Sequence, residues 1–276
     1  GSFLMKDTTN QRSARLEDMA INISDLSYPT EEPNASFPVD YGTYQITAQN
    51  GHYDLSDLEA ITFGRMSLNP DDGAFEQFAL RSRYSKAELS RQVAQEHDHY
   101  DLGIANVLLN DWEAGTTKGE PYFHLGELQL QQPMFYVYRD KLLPDDTSHK
   151  KLYNQALRDL PLELQVDSVT ISEGMIAYEE RIKPDIAPKD LTFTEIDATI
   201  RNLHSKGTGE VRANITAKLM DNGPFRLDWS FDPNSKANTF LVKGELSQFQ
   251  SESINPFLKS NLGAEVEGTV QQLYFT

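Results

Sequence analysis

The chain has 276 residues and no cysteine, and its 42 acidic side chains oppose 25 basic ones, for a formal net charge of -17. That length admits one large or two ordinary domains. The missing cysteine excludes a disulfide scaffold, a thiol nucleophile and a zinc-thiolate centre. The acidic balance argues against nucleic acid and against simple adsorption to an anionic membrane.

Taken in chain order, Gly1-Ser2 reads as a cloning scar and residues 1–13 as a frayed, polar start. Alternation predicts a strand over 14–28. Pro29, Pro33 and Pro38 punctuate a loop. Two further strands, 41–50 and 51–55, are expected to part at Asn50-Gly51, a tight-turn dipeptide. Residues 60–69 read as a strand, 70–73 as a turn and 74–82 as the returning strand. Ser85 and Glu88 form a capping box, with Tyr84 and Leu89 placed as its hydrophobic staple, and predict a helix over 85–96. Strands follow at 100–111 and 122–131, the latter continued by Phe135, Tyr136 and Tyr138. A second helix is expected over 147–159, ending before Pro161.

From 162 the chain reads as nearly all β. Strands are expected at 162–172, 174–182, 190–203, 209–220, 224–232, 238–248 and 264–275. Asn222-Gly223 is read as a tight hairpin turn. A short helix near 253–260 has Asn255 as its cap, Pro256 in its first position and Gly263 past its end. Val270, Leu273 and Phe275 still read as strand at the last residues, so more chain is expected to follow. The organisation expected is a start at 1–13, a β-rich region over 14–160 with two inserted helices, and a β-meander over 161–276 continuous with it. No uncharged apolar run is long enough to span a membrane as a helix.

One hydrophobic phrase recurs: apolar-x-apolar-x-x-apolar-x-apolar. Ile61, Phe63, Met66 and Leu68 spell it first; Phe123, Leu125, Leu128 and Leu130 follow. Leu164, Val166, Val169 and Ile171 spell it again, and Leu191, Phe193, Ile196 and Ala198 close the series. Each half alternates with the period of a strand, and the extra residue between halves demands a bulge or a change of face. Such repetition points to an extended sheet built from similar strands. The apolar face of that sheet must close on itself, stack on a second sheet or remain a groove for an apolar ligand. Phe123, Leu125, Leu164, Val166, Leu191 and Phe193, the first halves of successive phrases, are expected to line that face.

Motifs for chemistry are sparse. Glu96-His97-Asp98-His99 has the density of a metal site, and His97 and His99 would share a face of a strand. The alternative is a solvated helix end, where histidine is electrostatically favoured. There is no GxSxG elbow and no glycine-rich phosphate loop. The adjacent acid pairs Asp145-Asp146 and Glu179-Glu180 point to opposite faces of a strand and make poor acid/base couples.

The stretch from Leu160 to Leu203, with the turn Ser172-Glu173-Gly174 and the return strand of Ile176 and Tyr178, resembles the AsmA-like proteins of Gram-negative envelopes. The segments around Gly207–Asn234, Phe240–Leu258 and Gly263–Leu273 are similar, including Asn255-Pro256-Phe257 and Gly268. Tyr136–Asp146 looks like the versions found in Bacteroidetes-type bacteria. The resemblance implies a mainly β fold: an elongated, twisted antiparallel sheet, taco- or groove-like, with two or three short covering helices. It implies a non-enzymatic periplasmic module, tethered to the inner membrane through an N-terminal anchor trimmed from this piece, that handles phospholipid or aids outer-membrane assembly. Phospholipid or another acyl-chain ligand and envelope assembly proteins are the partners it implies, with no cofactor, no nucleic acid and no catalytic residue. The competing readings are a structural or adhesion β-protein without ligand, and a glycan-active enzyme.

Overall fold

The computed structural model describes residues 1–7, 12–27, 42–148 and 150–276. The proline-punctuated loop expected at 29–38 lies outside them. The described strands form one sheet. Its first six are β1 (Phe3–Asp7), β2 (Arg12–Ser24), β3 (Thr43–Asp54), β4 (Glu59–Leu68), β5 (Asp72–Ser82) and β6 (His99–Thr117). Then come β7 (Glu120–Gln131), β8 (Met134–Asp140), β9 (Glu163–Arg181) and β10 (Asp190–His204). The last four are β11 (Val211–Leu219), β12 (Gly223–Phe231), β13 (Phe240–Gln250) and β14 (Thr269–Phe275). They lie side by side almost in chain order, from β1 at one edge to β14 at the other. Residues 3–7, expected to be frayed, instead pair with β2 from Phe3↔Leu16 to Asp7↔Arg12.

The sheet is mixed, where a purely antiparallel one was expected. β7 and β8 lie end to end in one slot, both antiparallel to β6 and both parallel to β9. The cause is the crossover between Asp140 and Glu163. It carries the chain back along the sheet, so that β9 starts beside the start of β7, at Tyr122↔Glu163.

The helices are short. α1 (Lys86–Gln92) starts at the expected capping box: Glu88 N donates to Ser85 Oγ, and Ser85 N donates to Glu88 Oε2 at 3.0 Å. It stops at Gln92, earlier than expected. Lys86 Nζ reaches Glu179 and the Tyr138 ring, and Ser90 Oγ donates to Asp140 at 2.8 Å. Tyr138 and Asp140 alternate along β8 with Phe135 and Arg139, so α1 lies on the face opposite those two. α2 (Tyr153–Arg158) begins later than the 147 expected; residue 149 lies outside the described part. A 3-10 turn, Ser251–Ile254, leads into α3 (Asn255–Asn261). Asn255 does not cap it. Ile254 holds the cap position, and the Asn255 amide bonds the backbone of Val266 on both sides, at 2.9 and 2.8 Å. Among the described residues no helix is long and apolar enough to cross a membrane, which leaves strands out of account.

Two transverse seams explain the repeated phrase. All four copies lie inside strands, on β4, β7, β9 and β10. One seam runs through Asp18, Asn50, Gln77, Gln132, Glu173 and Glu195, all in the left-handed region with φ between 46° and 54°. The registers place Gly64 of β4 between Asn50 and Gln77, and Ala105 of β6 opposite Gln77. A second seam runs through Asp111 (φ 55°), Gly126, Asp167 and Asn202 (φ 57°). A single left-handed residue turns the strand so that side chains on its two sides, an odd number apart, share a face. Leu125 and Leu128, across the second seam, do pack on one cluster. Because neighbouring strands carry the irregularity at the same place, pairing resumes without slippage: Asn110↔Glu127 and Trp112↔Leu125 keep one register.

Every left-handed residue within a described strand is Asp, Asn, Glu or Gln. Asn and Asp tolerate that region best, through local bonds of their short polar side chains. Asn50 Nδ2 donates to Glu17 Oε2 at 3.0 Å, and Gln132 Nε2 to Glu173 Oε2 at 2.7 Å. Two expected turns are therefore overturned. Asn50-Gly51 lies inside the continuous β3, and Ser172-Glu173-Gly174 inside the 19-residue β9. Gly51 has a separate role: the Phe63 ring of β4 lies over it, 2.0 Å from where a Cβ would sit. The hairpin read at Asn222-Gly223 does join β11 to β12, with Met220 and Asp221 as its left-handed residues.

Candidate functional site

The apolar face holds two clusters. Leu125, Val166 and Val169, each 3% exposed, centre the first, with Leu109, Trp112 and Phe123 packed around them. Leu219, Leu246 and Phe249 centre the second. β10 belongs to both: Ile200 and Leu203 pack on the first cluster, Leu191 and Phe193 on the second. Ile196 and Ala198, in phase with them, are buried between.

The structure thus places Phe123, Leu125, Leu164 and Val166 together and sets Leu191 and Phe193 apart. The copies on β7 and β9 align with each other, from Phe123↔Leu164 to Leu130↔Ile171, but not with those on β4 and β10. Those on β7 and β9 cross the second seam; those on β4 and β10 cross the first. The residue beside Val166 on β10 is Leu203, while Leu191 and Phe193 stand beside Tyr178 and Ile176. Further copies escaped the sequence reading because small or polar-tipped residues fill some apolar slots. Ile46-x-Ala48-x-x-Gly51-x-Tyr53 on β3 and Gly73-x-Phe75-x-x-Phe78-x-Leu80 on β5 obey the same spacing about Asn50 and Gln77. Their in-register partners are the phrase residues of β4: Ala48↔Met66, Gly51↔Phe63, Met66↔Phe75 and Ile61↔Leu80.

Most side chains of the first cluster's rim, including Phe123, Leu128 and Leu164, are only half-buried. No second sheet lies among the described residues. α2 does cover part of the apolar face: Ala156, Leu157 and Leu160 share a cavity of about 350 Å³ with Ile200, Leu203 and Val211. Arg158 holds α2 in place by donating to the Pro233 carbonyl at 2.7 Å and to Asn238 Oδ1 at 3.0 Å.

Charge closes the face at the β8 end. Arg139 bridges both oxygens of Asp98 at 2.6 and 2.7 Å, Lys141 reaches Glu96 at 2.9 Å, and Tyr178 OH donates to Glu180 at 2.5 Å. The hydrogen bonds to Asp98 push the Arg139 pKa up, and burial, then the bond to Glu180, pushes the Tyr178 phenol up. These shifts fit a network of ion pairs and hydrogen bonds at the end of an apolar surface. His97 and His99 do not converge: His97 Nε2 meets Glu59 Oε1 at 2.8 Å and His99 Nε2 meets the Tyr84 carbonyl at 2.9 Å. No group of three or more His, Asp or Glu among the described residues is placed to hold a metal ion.

The sequence matches no family model and no curated protein.

Proposed function

We propose that this chain is a non-enzymatic, acyl-lipid-handling module of a bacterial envelope, with the apolar face of its sheet serving as a groove. One observation carries the reading. A single open sheet concentrates its phrases on one face, and that face is only partly covered by helices of six or seven residues. Domains ordinarily bury such a face against a second layer. A hydrocarbon chain laid along the strands would supply that layer. The resemblance to AsmA-like proteins supports the same reading: a periplasmic body, tethered to the inner membrane, that moves phospholipid or aids outer-membrane assembly. Phe123, Leu125, Leu164 and Val166 line one stretch of the groove, and Leu191 and Phe193 a second.

Native mass spectrometry and solvent extraction of the purified chain test this. Co-purified phospholipid or fatty acid at a defined ratio is the expected result. A ligand-free chain that also fails to take up fluorescent phospholipid from vesicles refutes it and favours a structural β-protein.

A further inference from the structure

The face opposite the apolar one carries a row that crosses four strands in register: Ser168 on β9, Arg201 on β10, Arg212 on β11 and Ser230 on β12. Arg201 follows Ile200 and Arg212 follows Val211, both on the apolar side, so the two arginines stand side by side on the other. Like charges directly opposite on neighbouring strands are destabilising. Acids outnumber bases by 17 in this chain, so the pairing does not arise from a shortage of carboxylates. Yet the Arg201 side chain has no ion pair or hydrogen bond among the described residues. Arg212 has only Glu210, at 3.2 Å, with both side chains more than half exposed.

The nearest acids are held by neutral donors instead. Glu127 accepts from Asn110, Gln129 and Thr170 at 3.2, 2.9 and 3.0 Å. Asp228 accepts from Asn214 at 2.6 Å, Asp167 from Gln165 at 3.1 Å, and Asp197 from Glu173 N at 3.1 Å. The Ser168 and Ser230 hydroxyls have no partner among the described residues either. Two guanidinium forks between two hydroxyls form a donor set suited to an oxyanion such as phosphate.

Beside this row lies a trough of about 560 Å³. The adjoining row, Thr170, Thr199, Asn214 and Asp228, forms its floor, and the row beyond adds Thr216 and Arg226. Arg226 too has no ion pair among the described residues. Rows on one face are two residues apart, roughly 7 Å. The arginine pair is therefore within reach of a substituent on a six-membered ring lying in the trough. Hydroxyl, amide and carboxylate side chains in alternation supply both donors and acceptors, which is what sugar hydroxyls pair with.

We propose that this trough binds a phosphorylated sugar, with the phosphate on Arg201 and Arg212 and the ring hydroxyls on Thr199, Asn214 and Asp228. The site lies on the face away from the groove and stands independently of the lipid-handling reading.

Calorimetric titration with glucose 1-phosphate, glucose and inorganic phosphate tests it. Glucose 1-phosphate should bind more tightly than either fragment by on the order of tenfold, because it alone engages both rows. Arg201→Gln with Arg212→Gln should reduce its affinity to that of glucose, and Thr199→Val with Asn214→Val to that of phosphate. Equal affinity for glucose 1-phosphate and phosphate, or no loss in the arginine double variant, overturns the proposal. In the absence of ligand the arginine double variant should have a urea midpoint at or above that of wild type, since a like-charge pair is removed. A lower midpoint would assign the pair to holding the sheet and also overturns it. Flotation with phosphatidylcholine vesicles containing phosphatidylinositol separates the sources. Capture of these vesicles together with glucose 1-phosphate binding supports a lipid-borne sugar phosphate, and glucose 1-phosphate binding alone a free one. Vesicle capture without glucose 1-phosphate binding overturns the proposal and leaves the groove reading standing.

Discussion

The sheet has a seamed half and a straight half, and the two solve the same problem differently. From β2 to β10 every strand except β8 crosses at least one seam, where a left-handed or small residue resets the alternation. β11 and β12 carry no left-handed residue and keep one register through nine pairs, from Val211↔Phe231 to Leu219↔Gly223. Val211, Ala213, Ala217 and Leu219 alternate strictly with more exposed residues. The change occurs at β10, where the register against β11 shifts between Thr194 and Asp197 and absorbs the extra residue. A seam is cheap only while each neighbour repeats it. Once a bulge discharges it, β11 and β12 are free to alternate; β13 breaks phase again only near its end, at Gln248 (φ 50°).

The comparison also concerns covering. In the straight half, α2 lies over Val211 and Ala213, and Ile254 of the 3-10 turn packs on the second cluster. The first cluster of the seamed half has half-exposed flanks at Phe123 and Leu164. The largest effect expected of any single change tests that contrast. Val166→Asp buries an unpaired charge among hydrocarbon and should cost on the order of 4 kcal/mol, unfolding the chain in a urea titration. Leu164→Asp, on the open flank of the same cluster, should stay folded by circular dichroism and lose uptake of fluorescent lipid. Equal unfolding by both would mean that the seamed face is a closed core like the straight one.

The seam itself can be broken more gently. Asn50→Val forces a β-branched residue into the left-handed region and should cost about 2 kcal/mol, whereas Asn50→Gly should remain within about 1 kcal/mol of wild type. Thr216→Val, on an exposed position of the straight β11, should change stability by about 0.5 kcal/mol or less. Chemical denaturation of the three proteins gives the answer. Indifference to Asn50→Val would remove the left-handed seam from β3.

The smallest effect is a slope with pH. Asp54, at the end of β3, accepts from Ser13 Oγ at 2.6 Å and Ser13 N at 2.9 Å, and meets His52 at 3.0 Å. The Ser13 hydroxyl first, then His52, hold its pKa at about 2, below the ordinary 3.8. A carboxyl with a depressed folded pKa binds fewer protons folded than unfolded. Its stabilisation is complete above the ordinary value and is lost as pH falls toward 2. Urea midpoints measured from pH 5 down to about pH 2 should therefore fall, and Asp54→Asn should flatten that fall. An unchanged slope in Asp54→Asn would detach this bridge between β2 and β3 from the stability of the seamed half.

Much of the fold was legible as local grammar. The phrase residues on β4, β7, β9 and β10, the Ser85–Glu88 capping box and the hairpin at 220–222 all follow from sequence spacing. The misreadings share one cause. Asn50-Gly51 and Ser172-Glu173-Gly174 carry the residues that favour a left-handed backbone, and a left-handed residue serves a turn or a seam equally well. What separates them is whether neighbouring strands repeat the irregularity in register, which no short window contains. The candidate site was half legible for the same reason. Phe123, Leu125, Leu164 and Val166 meet because β7 and β9 run parallel and in phase, while Leu191 and Phe193 fall elsewhere because β10 crosses the other seam in its own copy.

The sequence by itself determined that this chain is strand-rich, that its strands repeat an apolar pattern with a break in phase, and where α1 begins, because these depend on residues within a few positions of each other. Tertiary structure alone decided that the breaks line up into two seams, that β7 and β9 are parallel, and that two clusters rather than one occupy the apolar face. Those outcomes depend on pairings between residues tens of positions apart, and register, once chosen by one pair of strands, is passed to every strand beside it.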